Sequence, residues 1–172
     1  LEGLTLLFPT RYSTPSIPLP TYLLPLRILI PHPLASHRSP LTPIQGWTRF
    51  SPIADLSATL PSDWDTCFAV NVKAQNYLLR SALPTFTANA EGGSLIMTSS
   101  VAGIGVAGSS LPYCVTKAAQ IQMMRCLAAT QGPKVRVNAV LPGLLLTEWG
   151  NKYPKEIIKA LEDRAYLKKV VS

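Results

Sequence analysis

Residues 94–117 constrain the fold most. A short apolar run containing Leu95 and Ile96 ends in the paired hydroxyls Ser99 and Ser100. Gly103, Gly105 and Gly108 follow, and then a segment opening near Pro112 and carrying Tyr113 and Lys117. The apolar run bounded by Gly92-Gly93 and the glycine loop predicts a buried strand over 94–99. The next segment has Ala118, Ile121, Met124, Leu127 and Ala128 at helical spacing and stops at Gly132-Pro133, which predicts a helix over 112–131. Residues four apart share a helix face, so Tyr113 and Lys117 project together. Such a unit brings a serine hydroxyl, a phenol and an ammonium to one place. A nearby ammonium favours the phenolate and is expected to lower the Tyr113 pKa. On spacing alone, a core tyrosine beside a solvated lysine remains open.

The rest of the chain narrows the chemistry. It has 172 residues, 47% of them apolar and 15% charged, enough for one globular domain with a core. The net charge of +7 is spread over single and paired basic residues, without an interleaved aromatic platform, which argues against nucleic acid. Three cysteines without a Cys-x-x-Cys favour a reducing, cytoplasmic setting over a disulfide framework. The only histidines, His32 and His37, lie in a proline-rich stretch, so neither a thiol metal site nor a Ser-His-Asp hydrolase is expected. The patch at 23–30 is too short and broken to span a bilayer.

Further elements can be placed by pattern. Residues 46–61 read as a loop. Ser62 with Asp65 three later predicts a helix start with Ser62 as N-cap. Trp64, Phe68, Val72, Leu79 and Leu83 continue that helix to about residue 82, with Pro84 bending or interrupting its end. Asn71 falls inside it, either as an exposed polar residue or in a functional place. Lys134 to Val140 reads as a buried strand ended by Pro142-Gly143, and Pro154 opens a last helix toward Leu167. The run Gly103-Ile-Gly105-Val-Ala-Gly108 matches G-x-G-x-x-G literally. It is not a dinucleotide turn, because the helix opens later and no acid follows until Glu148.

Four segments then fall in order: Ser-Ser-Val-Ala-Gly at 99–103, Tyr-Cys-Val-Thr-Lys-Ala-Ala at 113–119, Val-Arg-Val-Asn-Ala-Val at 135–140, and Leu-Pro-Gly-Leu-Leu-Leu-Thr at 141–147. Ser100 stands thirteen residues before Tyr113. Over about residues 46–170 the chain resembles the short-chain dehydrogenase/reductase family. The resemblance implies an α/β fold, a Rossmann-like doubly wound parallel sheet, incomplete in this chain. It implies hydride transfer between NADP or NAD, with NADP preferred, and a small carbonyl or alcohol substrate. Tyr113 would exchange the proton, Ser100 would polarise the carbonyl, and Lys117 would hold the nicotinamide ribose and lower the Tyr113 pKa. Asn71 would hold a relay water. Pro142, Gly143, Leu145 and Thr147 would face the nicotinamide, Leu145 through its backbone and Thr147 through its hydroxyl. The segment after Pro154 would lie over the substrate.

Residues 1–45 do not match. They hold nine of the sixteen prolines and a single acid, Glu2, and are expected to be mostly irregular, followed by a partial family domain over 46–172. They stand where the resemblance would place a nucleotide-binding half with its glycine turn. The chain is therefore expected to be truncated at both ends and impaired in turnover. The alternative is a non-catalytic remnant that associates with an intact relative through the helices at 62–82 and 112–131, or a homo-oligomer.

Overall fold

The computed structural model describes residues 46–148 and 150–169; the expectations for residues 1–45 lie outside them. Two strands, β1 (Gly93–Thr98) and β2 (Val135–Val140), pair in parallel from Gly93 opposite Val135 to Thr98 opposite Val140. Between them runs α3 (Leu111–Gln131), the crossover that a parallel pair requires. The α/β class and parallel sheet read from the sequence are present, with two strands among the described residues.

Register explains the core. Leu95 pairs with Val137 and Gly93 with Val135, so Leu95, Met97, Val135 and Val137 form one buried patch. Leu79 and Phe86 of α2 (Ala74–Ala88) pack on it, with Met123, Met124 and Leu127 of α3 beside them. Each such side chain contributes about 1.5–3 kcal/mol on leaving water. Phe86 lies so close to Gly93 that a Cβ there would sit 2.1 Å from its ring, so only glycine fits.

The helix before the sheet departs from the expected one. α1 (Pro61–Cys67) has Leu60 as its N-cap, two residues before the expected Ser62, with Pro61 inside its first turn, where a missing N–H costs nothing. Asp63, not Asp65, accepts from the Leu60 N–H at 2.8 Å, and Ser62 is not the N-cap. Arg49 holds the same carboxylate, Nε to Oδ1 at 2.9 Å, and also donates to the Ala58 carbonyl. A π-helical turn, Phe68–Lys73, then joins α1 to α2. Pro84 neither ends nor interrupts α2, which runs on to Ala88. It lies on the exposed side, where water can take the carbonyl it frees. Gly132 closes α3 in an extended conformation (φ −65°) rather than the left-handed one. The last helix, α4 (Lys155–Arg164), is shorter than expected and capped by Pro154.

Candidate active site

Ser99 and Ser100 follow the end of β1, and their hydroxyls do different things. The Ser99 hydroxyl is buried and donates to the Lys117 carbonyl at 2.9 Å, fastening the strand end to α3. Ser100 is half-buried; its Oγ accepts from the Ala102 N–H at 3.1 Å and its hydroxyl hydrogen-bonds toward the Tyr113 phenol. The turn after it, Val101–Gly103, packs directly on α3. A Cβ at Gly103 would lie 2.7 Å from the Lys117 carbonyl carbon. The glycine run that mimics a dinucleotide turn thus begins with a residue required for close approach to the backbone of Lys117.

Tyr113 and Lys117 share one face of α3, as their spacing predicts. Lys117 is 3% exposed. Its Nζ donates to the Thr98 carbonyl at 2.9 Å and lies 5.4 Å from the centre of the Tyr113 ring. Burial lowers the Lys117 pKa to about 8. The expected lowering of the Tyr113 pKa is not found. Burial pushes the phenol above its ordinary value, with the Ser100 hydrogen bond opposing, and Lys117 is not among the causes. The reason is the order of titration: with its pKa lowered to about 8, Lys117 has lost its charge before a phenol raised above its ordinary value gives up its proton.

Asn71 lies in the π turn and is wholly buried, not on an exposed face. Its carboxamide grips the backbone of Trp47 twice: Trp47 N–H to Oδ1 at 2.7 Å and Nδ2 to the Trp47 carbonyl at 3.0 Å. Nδ2 also donates to Thr116 Oγ1 at 2.9 Å, and Thr116 donates to the Tyr113 carbonyl at 2.9 Å. The Asn71 carbonyl accepts from Gln120 Nε2 at 2.5 Å. The sequence reading singled out neither Thr116 nor Gln120. Two polar residues four apart on an otherwise apolar helix stretch were the available signal.

The segment 46–51 completes the site. Thr48 Oγ1 lies 2.6 Å from Ser109 Oγ, the Ser51 N–H donates to the Ser109 carbonyl at 2.9 Å, and Ser110 Oγ caps the Tyr113 N–H at 3.3 Å. A cleft of about 350 Å³ opens between Gly46, Trp47, Thr48 and Tyr113.

The loop after β2 is tied back to the site. The Pro142 carbonyl accepts from the Val101 N–H at 3.1 Å, which holds the turn behind Ser100. Gly143 is exposed, with open space where a Cβ would be. The Leu145 carbonyl packs against Gly150, and Thr147 Oγ1 accepts from the Gly150 N–H at 3.3 Å. The structure therefore joins Asn71, Ser100, Tyr113 and Lys117 into one neighbourhood and links Pro142 to it. It spends Leu145 and Thr147 partly on the turn that follows. Among the described residues no cluster of side chains could hold a metal.

Whether these residues suit a nicotinamide cofactor can be judged from Lys117. A buried ammonium has three N–H donors, and one of them has an acceptor among the described residues. The other two suit vicinal ribose hydroxyls. The fit concerns the nicotinamide end alone.

A strand delivering serine, a helix delivering tyrosine and lysine, and a parallel crossover between them form one α/β unit in which the three side chains meet. The family model described as Enoyl-(Acyl carrier protein) reductase matches residues 46–172, and the chain belongs to the short-chain dehydrogenase/reductase family. Over 104 residues it is 43% identical to a protein of Streptomyces violaceoruber named for a ketoacyl reductase of the granaticin polyketide synthase, covering 60% of this chain and 41% of that one. It is 35% identical over 101 residues to the 1,2-dihydroxy-1,2-dihydronaphthalene dehydrogenase of Pseudomonas putida, covering 59% and 38%. A solved 3-oxoacyl-[acyl-carrier protein] reductase of Brucella melitensis with bound NAD superposes with a TM-score of 0.66 at 26% identity, over 77% of this chain and 49% of that one. The chain spans less than half the length of these relatives.

Proposed function

We propose that this chain carries the proton-transfer half of an oxidoreductase that reduces a small carbonyl compound with NAD(P)H, or runs the reverse oxidation. The observation that carries this reading is the Ser100–Tyr113 contact beside a buried Lys117. When bound, the nicotinamide supplies or accepts a hydride at its C4. Everything else is the work of this chain. Ser100 donates its hydroxyl to the substrate oxygen and orients it over Tyr113. The phenol, kept protonated at neutral pH by burial, delivers its proton to that oxygen. Lys117 offers two N–H groups to ribose hydroxyls while Thr98 holds the third. Asn71 fixes Trp47 at the cleft wall and ties Thr116 to the Tyr113 helix turn. Pro142 and Gly143 would flank the nicotinamide, with Leu145 and Thr147 nearest its carboxamide.

A phenol held above its ordinary pKa is a proton donor over the whole neutral range. Reduction should therefore be flat through neutral pH and fall only as pH rises through the folded pKa of Tyr113. Oxidation needs the phenolate and should rise over that same interval.

The test is NADPH and NADH oxidation by the full chain with a panel of small ketones. Tyr113→Phe should lower kcat about a thousandfold, within the range for loss of a general acid. Undiminished turnover in that variant would remove Tyr113 from the mechanism. Absence of turnover and of saturable nucleotide binding, in a chain that melts cooperatively, would remove the enzymatic reading.

A second reading, a non-catalytic chain that associates with a longer relative or with its own copies, draws on Tyr77 of α2 and Val115 of α3. They are 58% and 38% exposed. Sedimentation of the chain alone and mixed with such a relative separates the two.

A further inference from the structure

Thr116 and Gln120 of α3 are wholly buried, and both reach Asn71 in the neighbouring π turn. They reach different parts of it. Thr116 Oγ1 accepts from the Asn71 carboxamide at 2.9 Å, whereas Gln120 Nε2 donates to the Asn71 main-chain carbonyl at 2.5 Å. Residues three and four apart share a helix face, so Tyr113, Thr116, Lys117 and Gln120 lie along one stripe of α3. The stripe that carries Tyr113 and Lys117 therefore grips Asn71 by its side chain and, one turn later, by its backbone.

The backbone grip falls where the helix is least regular. At the end of the π turn the Ala74 N–H reaches back to the Ala69 carbonyl, a looser ring than the α-helical one. Gln120 bonds to this turn from outside its helix. From there the Asn71 carboxamide reaches the cleft, where it holds the N–H and the carbonyl of Trp47 at 2.7 Å and 3.0 Å. Both Nδ2 hydrogens are in use, one on Trp47 and one on Thr116, so the carboxamide has a single orientation. Rotation of the Asn71 main chain would disturb all three bonds together. Gly46 shows how near this lies to the chemistry: a Cβ there would be 3.5 Å from Lys117 Nζ and 3.8 Å from Asn71 Oδ1. Asn71 thus sets the separation between the cleft wall and the ammonium. Gln120 Oε1 has no hydrogen-bond partner among the described residues, so the amide is held by its Nε2 bond alone.

Resting on the proton-transfer reading above, we infer that Gln120 is a positioning residue for this site. Its amide fixes the Asn71 main chain in the π turn, and through Asn71 it sets the place of Gly46 and Trp47 against Tyr113 and Lys117.

The experiment uses the full chain with Gln120→Met, which keeps the length of the side chain without its donor, and Gln120→Leu, which is shorter and branched. Hydrogen exchange at the Trp47 amide, read by NMR, reports the Asn71 bond directly, because that N–H donates to Asn71 Oδ1. The Ser99 amide, which donates to the Val140 carbonyl at 2.9 Å, is the internal control. Each variant should lower protection at Trp47 about tenfold and leave Ser99 within about twofold of the wild type. Melting temperatures should stay close to the wild-type value, since the orphaned acceptor leaves together with the amide. With NADPH and a small ketone, kcat should fall about tenfold, while the KM for NADPH stays within about twofold because Thr98 still holds Lys117. Asn71→Ala keeps the carbonyl but removes the carboxamide, so adding Gln120→Met to it should change neither Trp47 exchange nor kcat further.

Unchanged protection at Trp47, equal losses at Trp47 and Ser99, or failure of both variants to melt cooperatively would overturn the inference. So would additive effects of Asn71→Ala and Gln120→Met, or a loosened Trp47 with kcat undiminished. Selective loosening of Trp47 in a chain whose wild type does not oxidise NADPH would support the hold on the wall while removing the catalytic reading. Wild-type turnover with Trp47 untouched by either variant would do the opposite.

Discussion

Helices α3 and α4 reverse the usual relation between pattern and burial. α4 has apolar residues along one side, yet none of its residues is buried, and Ile157 and Leu161 are 47% and 38% exposed. α3 is less clearly two-faced, yet it buries Thr116, Lys117 and Gln120 almost completely. The difference lies in what each helix faces. α3 crosses between two paired strands and packs on the turn after Ser100, whereas α4 follows the last strand among the described residues. Amphipathic pattern states what a helix can bury; neighbours decide what it does bury. A helix that buries a lysine against a strand carbonyl accepts a cost in stability that its other contacts must offset.

That comparison can be broken most sharply at Lys117. Its pKa is depressed in the fold, so the unfolded chain binds more protons between about pH 8 and 10.5. The sign follows: burial of the charge costs stability fully below pH 8, and the cost fades as pH rises toward the unfolded pKa. Lys117→Met should raise stability at pH 7 by roughly 3 kcal/mol, the equivalent of the shift. It should also flatten the rise in stability above pH 8 and abolish turnover. Urea titrations at pH 7 and pH 9.5 read this; a destabilised Lys117→Met at both values would mean that the Thr98 bond outweighs burial.

The paired truncations Ile121→Ala in α3 and Leu161→Ala in α4 come next. Ile121 is 7% exposed and should cost about 2–4 kcal/mol, whereas Leu161 should cost about 0.5 kcal/mol or less. Comparable losses would show that α4 is packed in solution. A smaller effect is expected at Asp63, which caps α1 and holds Arg49. Its carboxyl is held below the usual range chiefly by the Arg49 hydrogen bond, so its contribution is present above the unfolded pKa and lost as pH falls through the folded one. Asp63→Asn should cost about 1–2 kcal/mol at pH 7 and much less in acid, where melting temperatures of the two chains should converge.

The βα unit and the Tyr113–Lys117 face were legible because strand and helix periods and a four-residue spacing are local properties. The start of α1 lies two residues before the expected one, since Ser62 and Asp65 imitate the capping pattern; Pro61 is the better signal. The π turn had no signature in Phe-Ala-Val-Asn-Val-Lys, because it reflects what Asn71 does with a segment twenty-four residues away. The Tyr113 pKa was misjudged for a related reason. Spacing places an ammonium near a phenol but says nothing of how dry the place is. Gly103 was read as part of a motif to reject, while its actual demand, contact with the Lys117 backbone, is purely tertiary.

The hold of Asn71 on Trp47 has one more consequence. Both of its bonds are to main-chain atoms, so the anchor is indifferent to the side chain that stands at position 47. One wall of the cleft is thus mounted like an exchangeable panel. The residue at 47 can be replaced to admit a different molecule while the helices that carry Tyr113 and Lys117 keep their registration, which makes this position a natural first site for redesigning what the cleft accepts.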